Sequence, residues 1–242
     1  MAELISGRNA VLETLKSGRP VNRVLVADQM DPAFAAAVFK LCKEQGVPCR
    51  KLPKQQLQRL AGPGCQGIAA EAAAMEYADI PAMLAAAKQR QEPPLIVVLD
   101  GVEDPHNLGA VIRTALAAGA HGLVIGKHRA AALNQTVMKT SAGAAAYLPV
   151  ARVTNLNQAL KELREAGLWL AAGDMDGRLL WEVDLKGPLA LVLGGEGRGV
   201  SPLVKKNCDM VAAIPMQGRI GSLNVSVSAA VLLYEAVRQR RG

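Results

Sequence analysis

The sequence predicts an α/β protein in two parts, a small amino-terminal α/β module and a larger domain with a Rossmann-like, doubly wound parallel sheet. Three observations carry this. Short apolar stretches alternate with helical patterns over residues 4–73. From Leu95 the chain carries continuous apolar runs such as LIVVLD, as strands buried on both faces require. Between the two lies AMEYADIPAMLAAAKQRQEPP, residues 74–94, which Pro81 and Pro93-Pro94 punctuate as a linker.

In the first part, Gly7–Leu15 reads as a helix with Ala10, Val11 and Leu15 on one side, ended by Gly18. Val24–Ala27 is a strand and Pro32–Gln45 an alanine-rich helix. Val47–Leu52 is a second strand, Pro53–Leu60 a helix opening on proline, and Ile68–Ala73 a third strand. The linker holds a short helix in PAMLAAAKQRQ, and its EPP end forces an extended approach to the next strand. The domain boundary falls there, leaving 1–73 and 95–242 as the two domains. Beyond it come strand Leu95–Asp100, a helix from near Leu108, strand Gly122–Ile125 and a helix over Asn134–Ser141. Strands Val150–Val153 and Leu168–Ala171 flank helix Leu156–Ala166. Leu189–Leu193 is the central strand, 202–207 a helix, and Met210–Ile214 the last strand.

Half of the residues are hydrophobic, which supports a sizeable core and argues against disorder. The net charge of +7 points to an acidic partner, of which nucleic acid is the commonest. It is spread: residues 1–78 hold ten Lys and Arg against seven Asp and Glu, and 95–242 hold sixteen against twelve. That describes a broad basic surface, not a basic tail. Aromatic residues make up 3%, too few for base stacking across an aromatic sheet. Cys42, Cys49, Cys65 and Cys208 form no CxxC pair and do not cluster with His106, His121 or His128, so reduced thiols and no metal site are expected. The opening MAELISGRNAVLETL does not read as a signal peptide, and no apolar run reaches membrane-spanning length. A cytoplasmic protein with no membrane association is the expectation.

Three stretches carry candidate chemistry. DGVEDPHNLGAVIRTA, from Asp100 to Ala115, ends a strand, crosses a polar loop and enters a helix that Asn107 is placed to cap. Gly109 permits close backbone approach, and Arg113 lies four residues on, on the same side. By spacing alone Arg113 is equally a solvated helix arginine. LGGEGRGVS, from Leu193 to Ser201, is a strand, a glycine-rich turn and a Ser-Pro helix start. It lacks the spacing of a dinucleotide fingerprint, and no acidic residue follows about twenty positions on. IPMQGRIGSLNVSVSAAVLLY, from Ile214 to Tyr234, ends a strand, turns through Gly218 and Gly221, and offers Ser222 and Asn224 as helix caps. Val225, Ala229, Leu232, Leu233, Ala236 and Val237 then follow at helical spacing. A helix N-terminus beside a glycine-bearing loop suits an anion or polar ligand. Spacing alone also allows a plain capped C-terminal helix.

NLGAVIRTA, GGEGRG and IPMQGRIGSLNVSV, in that order within residues 107–228, resemble the three motifs of the SPOUT methyltransferases, in the branch that methylates the ribose 2′-hydroxyl of RNA. The similarity extends through DGVEDPHNLG, VTNLNQAL and YEAVRQR. It reaches back into GRNAVLETLKSGRPVNRVLVA and CQGIAA, which resemble the amino-terminal substrate-binding domain of these enzymes, itself similar to ribosomal RNA-binding proteins of the L30e/L7Ae type. Nearly the whole chain is covered, with the closest resemblance to bacterial enzymes acting on a guanosine of large-subunit (23S) ribosomal RNA. Arg219 and Ile220 occupy a variable part of the third motif.

The resemblance implies a deep trefoil knot at the C-terminus and a homodimer with sites at its two-fold interface. It implies S-adenosylmethionine as methyl donor, with 23S ribosomal RNA or a ribosome precursor as partner. Leu193, Gly194, Gly195, Ile214, Met216 and Leu223 are implied to hold the cofactor. Asn107, Arg113, Glu196, Ser222 and Asn224 are implied to surround the ribose and its phosphate, and Arg8, Arg23 and Gln66 to bind RNA. His106 receives no role, because the chemistry falls on its neighbours. The family's general-base role for the arginine conflicts with the reluctance of guanidinium groups to lose a proton; phosphate grip and stabilisation of the developing alkoxide fit better. Three alternatives stay open: a transfer-RNA methyltransferase, a non-catalytic RNA-binding module, and a nicotinamide oxidoreductase.

Overall fold

The computed structural model describes residues 2–73, 76–219 and 221–242. Ala74 and Met75, at the start of the expected linker, and Ile220, in the third motif, lie outside the described residues. The chain forms two compact units. One joins the residues up to Glu76 with Leu133–Tyr147; the other joins Tyr77–Ala132 with Leu148–Gly242.

The first unit is built on a four-stranded mixed sheet. Strands β1 (Ala2–Ser6), β2 (Val21–Ala27), β3 (Cys49–Leu52) and β4 (Ile68–Ala73) lie in the order β1-β4-β2-β3. Helices α1 (Arg8–Lys16), α2 (Pro32–Glu44) and α3 (Lys54–Ala61) connect them. Strand β1 is not anticipated by the sequence reading. Its partner is β4, with Ile5 opposite Ala70, and so distant a pairing leaves no local pattern. Asp31 starts α2 by accepting from the Phe34 amide at 2.8 Å, with proline at the first turn.

Residues 133–147, which the sequence reading places in the second domain, group with this first compact unit. Helix α6 (Gln135–Thr140) is capped by Asn134, which accepts from the Val137 amide at 3.0 Å. Gln135 Nε2 donates to Ser6 Oγ at 2.9 Å, and the Tyr147 hydroxyl donates to Glu13 Oε2 at 2.7 Å. A Cβ on Gly143 would fall 2.5 Å from Glu13 Cβ, and its φ is +91°, so glycine alone lets the strap lie against α1. Val137 and Met138 are fully buried. Their apolar surface decides the placement.

The second unit holds six parallel strands: β5 (Leu95–Asp100), β6 (Gly122–Gly126), β7 (Val150–Val153), β8 (Trp169–Leu179), β9 (Leu189–Gly194) and β10 (Met210–Ala213). Their order is β10-β8-β9-β5-β6-β7. From β5 the chain winds outward to β7, then returns to the other side, so the winding reverses between β5 and β9. Ligands of open parallel sheets bind in such a crevice, at the carboxyl ends of the strands. Helices α5 (Pro105–Ala117), α7 (Leu156–Glu165), α8 (Pro202–Lys206) and α9 (Val225–Arg241) complete the unit. This topology is consistent with the implied knot.

Two expectations change here. The linker is not free: α4 (Ile80–Arg90), capped by Asp79, buries Ile80, Met83 and Ala87 in this unit, and a Cβ on Gly122 would come within 2.2 Å of Met83 Sδ. Strand β8 is longer than Leu168–Ala171. It pairs with β10 as Ala172↔Val211 and then Arg178↔Ala212, so residues 173–177 bow out between. Gly177 is required where the bow closes, since a Cβ there would lie 2.6 Å from the Val211 carbonyl.

Two side chains pin the ends of this sheet. Arg240 donates from α9 to the carbonyls of Pro93 (3.1 Å), Pro94 (3.0 Å) and Gly187 (2.7 Å), just ahead of β5 and β9. His121 is buried at the start of β6. Its Nδ1 accepts from the Leu95 amide at 3.1 Å, leaving Nε2 to carry the proton toward Glu92 Oε2 at 3.1 Å. No described helix is long and apolar enough to cross a membrane.

Candidate active site

The carboxyl ends of β5, β8, β9 and β10 open into two adjoining cavities within the second unit. The first, about 720 Å³, is lined by Leu193 and Gly194 at the end of β9 and Gly195 just after it, Ile214 and Met216 after β10, and Ser222, Leu223 and Asn224 before α9. The second, about 640 Å³, lies between the β5 and β9 loops and is lined by Asp100, Asp104, Asn107 and Arg129. Gly195, Glu196, Arg198 and Gly199 line both.

The glycines make the shared wall possible. A Cβ on Gly194 would sit 1.8 Å from the Gly199 carbonyl carbon, and one on Gly195 would sit 2.0 Å from the Gly101 oxygen. Both obstacles are backbone and cannot swing aside. Gly197 and Gly199 take φ values of +78° and +62°, which closes the turn. Gly195 N donates to the Asp100 carbonyl at 2.8 Å, and Ser201 N donates to Asp100 Oδ2 at 2.9 Å, so the β5 and β9 loops are held together.

Helix α5 begins earlier than the sequence implies. Asp104 is its cap, accepting from the His106 amide at 2.9 Å with Pro105 in the first turn. Asn107 is therefore released from capping. Its Nδ2 donates to Glu196 Oε1 at 3.1 Å, and its Oδ1 accepts from Asn224 Nδ2 at 3.0 Å. Asn224 Nδ2 also donates to Glu196 Oε1 at 2.5 Å, while Asn224 Oδ1 caps α9 through the Ser226 amide at 2.9 Å. One residue from each motif thus meets in a single cluster. Ser222 lines the first cavity and does not cap the helix.

Arg113 is not brought to this cluster. It is exposed and lines neither cavity. Six residues along a helix leave it about 120° around the axis from Asn107, so one copy of α5 cannot aim both at one point. Of the residues assigned to RNA in the first unit, Gln66 Oε1 accepts from the Arg8 amide at 2.9 Å, whereas Arg23 sits on β2 and pairs with Glu71 on β4.

Sequence reasoning missed Asp174, Met175 and Lys205, which line the first cavity. Asp174 and Met175 stand on the β8 bow, where the break DMDG in an apolar strand is the available signal. Lys205 Nζ lies 3.1 Å from Asp174 Oδ2 and 2.8 Å from Asp176 Oδ2, and its hydrogen bond holds the Asp176 carboxyl below the usual carboxylate range. Arg129 and Arg198 were also missed; both are exposed arginines lining the second cavity, Arg129 outside any motif and Arg198 at a variable position within GGEGRG. Thiol chemistry has no place here: burial pushes Cys208 up to about 12, and it lines neither cavity.

The cluster can hold a hydroxyl between a fixed carboxylate and amide groups, beside a cavity of cofactor size with an apolar and backbone lining. Comparison with known proteins gives the family of the chain. The family model described as SpoU rRNA Methylase matches residues 94–234, and one described as RNA 2′-O ribose methyltransferase substrate binding matches residues 4–78. The chain belongs to the SpoU methylase family.

Among its SpoU relatives, YacO of Bacillus subtilis, named for the TrmH family of tRNA/rRNA methyltransferases, is 44% identical over 98% of this chain and 96% of its own length. The SpoU methyltransferase AviRb of Streptomyces viridochromogenes, solved in complex with AdoMet, superposes with a TM-score of 0.82 at 27% identity, covering 98% of this chain and 90% of AviRb. The A. aeolicus TrmH/SpoU tRNA modifying enzyme is 32% identical with a TM-score of 0.56, over 66% of this chain and 84% of that one.

Proposed function

We propose that this SpoU protein transfers a methyl group from S-adenosylmethionine to the 2′-hydroxyl of a guanosine in 23S ribosomal RNA, as naked RNA or in a ribosome precursor, in the cytoplasm. The observation that carries the reaction type is the position of Glu196. It lines both cavities and is bound by Asn107 and Asn224, so one carboxylate stands where a donor on one side meets an acceptor on the other.

The residues of the first cavity fit the cofactor. Leu193, Ile214, Met216 and Leu223 supply apolar surface, and Gly194 and Gly195 let the β9 turn pack against Gly199 and Gly101 so that backbone forms part of the cavity wall. When bound, S-adenosylmethionine supplies a sulfonium methyl that a hydroxyl oxygen can attack in line. The protein must then align that oxygen and exclude water. Glu196 accepts from the ribose hydroxyl, and Asn107 and Asn224 keep the carboxylate from swinging. Ser222 stands at the cavity edge to hold the ribose. Arg113 of the partner subunit grips the adjoining phosphate and stabilises charge as it develops on the 2′-oxygen. A homodimer is thereby part of the reading. The outer face of α9 supports it, with Val227 and Tyr234 exposed together with Leu223 before the helix.

Ribosomal RNA is favoured because the substrate-binding match covers residues 4–78 of the chain, while the tRNA-modifying relative aligns with two thirds of the chain. The test is methyl transfer from labelled S-adenosylmethionine to unmethylated 23S RNA and to bulk tRNA, with the modified position located by its resistance to alkaline cleavage. Label in tRNA alone would reassign the substrate; label in neither, with the cofactor bound, would leave an RNA-binding protein without catalysis.

A further inference from the structure

The second cavity of the second unit, about 640 Å³, holds charges that the Asn107–Glu196–Asn224 cluster leaves unused. Asp100, Glu103, Asp104 and Glu196 line it, and three of these carboxylates are engaged. Asp100 Oδ2 accepts from the Ser201 amide at 2.9 Å and Asp104 Oδ1 from the His106 amide at 2.9 Å, while Glu196 is bound by Asn107 and Asn224. Glu103 is the exception. Its side chain is exposed and makes no hydrogen bond or ion pair among the described residues. Arg129, on the loop after β6, is likewise exposed and unpaired among them.

Both groups stand on fixed backbone. Val102 and Ala131 are buried, and the Ala131 amide donates to the Val102 carbonyl at 2.8 Å, which ties the β5–α5 loop to the loop after β6. Glu103 lies one residue from this tie and Arg129 two. The other end of the arginine loop is held at Lys127, whose amide donates to the Val153 carbonyl at 2.7 Å and whose carbonyl accepts from Arg152 at 3.1 Å. Arg129 takes a φ of +51°, left-handed backbone that is uncommon in a residue with a side chain. Such conformations persist where the surrounding fold over-determines them, and ligand clamps are one such place. An acid and a base that do not neutralise each other thus line one cavity, whose size lies within the roughly 300–1,000 Å³ of small-ligand sites.

The four RNA bases differ in what they offer to a carboxylate, which only accepts. Guanine presents two adjacent donors, N1–H and the N2 amino group, on its Watson–Crick edge. Adenine and cytosine set a donor beside an acceptor, and uracil flanks one donor with two carbonyls. We propose that the second cavity seats the acceptor nucleotide with its phosphate on Arg129 and the Watson–Crick edge of a guanine on Glu103, so that Glu103 sets the base selectivity of methylation. An unpaired base is read on that edge, and a guanidinium fork suits a phosphate. This rests on the reading of the chain as a ribose methyltransferase, and it supplies a reason for guanosine from the protein's own residues.

The test titrates the full chain, with S-adenosylhomocysteine filling the first cavity, against guanosine, inosine and adenosine 5′-monophosphates. Inosine lacks only the N2 amino group. The guanine nucleotide is expected to bind roughly tenfold or more tightly than either, the scale of one bidentate base contact. Glu103→Gln replaces one acceptor with a donor and matches the N6 donor and N1 acceptor of adenine, so the preference should collapse or turn toward adenosine monophosphate. A merely structural role for Glu103 would not gain a new base. Arg129→Ala should weaken all three nucleotides by a similar factor and leave phosphate-free guanosine unaffected. Equal binding of the three by the unaltered protein would overturn the proposal, as would a preference that Glu103→Gln does not move, or equal loss of guanosine and its monophosphate in Arg129→Ala. Labelled methyl transfer to RNA separates the two readings. Transfer to a base other than guanosine would overturn the proposal and leave the methyltransferase standing. Guanine preference with no transfer to any RNA would defeat the enzymatic reading and keep Glu103 as the guanine contact.

Discussion

Asn107 and Glu196 lie 89 positions apart, yet each is bound to the other and to Asn224. This makes Glu196 the residue whose charge and position are easiest to separate. Glu196→Gln keeps the volume and one oxygen that can still accept from Asn107 and Asn224, but it removes the charge and replaces the second acceptor oxygen with a donor. Turnover should fall on the order of 10²–10³, the scale for removing one electrostatic stabiliser, while calorimetry should find S-adenosylmethionine affinity nearly unchanged. Arg113→Ala should cost a similar factor with little loss of stability, since the side chain is exposed. Arg113→Lys keeps the charge and loses the planar fork. Partial recovery with an unaltered pH profile supports charge and phosphate grip; a new alkaline limb in the lysine variant would restore the base role.

At the scale of elements, the β9 loop depends on two backbones crossing without side chains between them. Gly194→Ala places a methyl 1.8 Å from the Gly199 carbonyl carbon. The turn must shift, so the variant should lose at least tenfold in cofactor affinity and about 1–3 kcal/mol of stability, as overpacking does. Calorimetry and urea unfolding read the two separately; normal cofactor binding would mean that the cavity is not the cofactor site. The start of β6 makes a pH prediction. Burial lowers the His121 pKa from its ordinary 6.5, and the neighbouring Glu92 only partly offsets this. Protonating Nδ1 would also set a donor against the Leu95 amide that it now accepts. The folded state therefore holds this ring neutral while the unfolded chain binds a proton below about 6.5. Stability should be level with respect to this group above that pH. It should fall progressively as the pH drops through 6.5 toward the depressed folded value. Urea midpoints between pH 5 and 8 should show this slope in the unaltered protein and a shallower one in His121→Gln.

For the whole molecule, the decisive question is whether Arg113 serves its own copy or the other. An equal mixture of Arg113→Ala and Glu196→Gln chains, refolded together, places both native residues in one site of each mixed dimer. Activity should return to about a quarter of the native level if the site is shared across a two-fold axis. No recovery, with mixed dimers shown by mass spectrometry, would put Arg113 back in its own subunit or outside the reaction.

Local sequence determined most elements and the family. LIVVLD and Leu189–Leu193 are continuous apolar runs because parallel strands are covered on both faces, and Asn224 is a cap by residue type alone. The three motifs are short and contiguous, so their resemblance is legible without coordinates. What tertiary structure decided is everything that depends on distant partners. Strand β1 exists because β4 is there to pair with it. Residues 133–147 leave the domain their sequence position implies because Val137 and Met138 find cover in the first unit. Asp174 lines the first cavity, within reach of Lys205 on α8, because β8 bows between two registers with β10. Asn107 is freed to bind Glu196 and Asn224 because Asp104 takes the cap three residues earlier. Periodicity reports which face of an element is apolar; which distant surface covers that face is set by the packing of the whole chain.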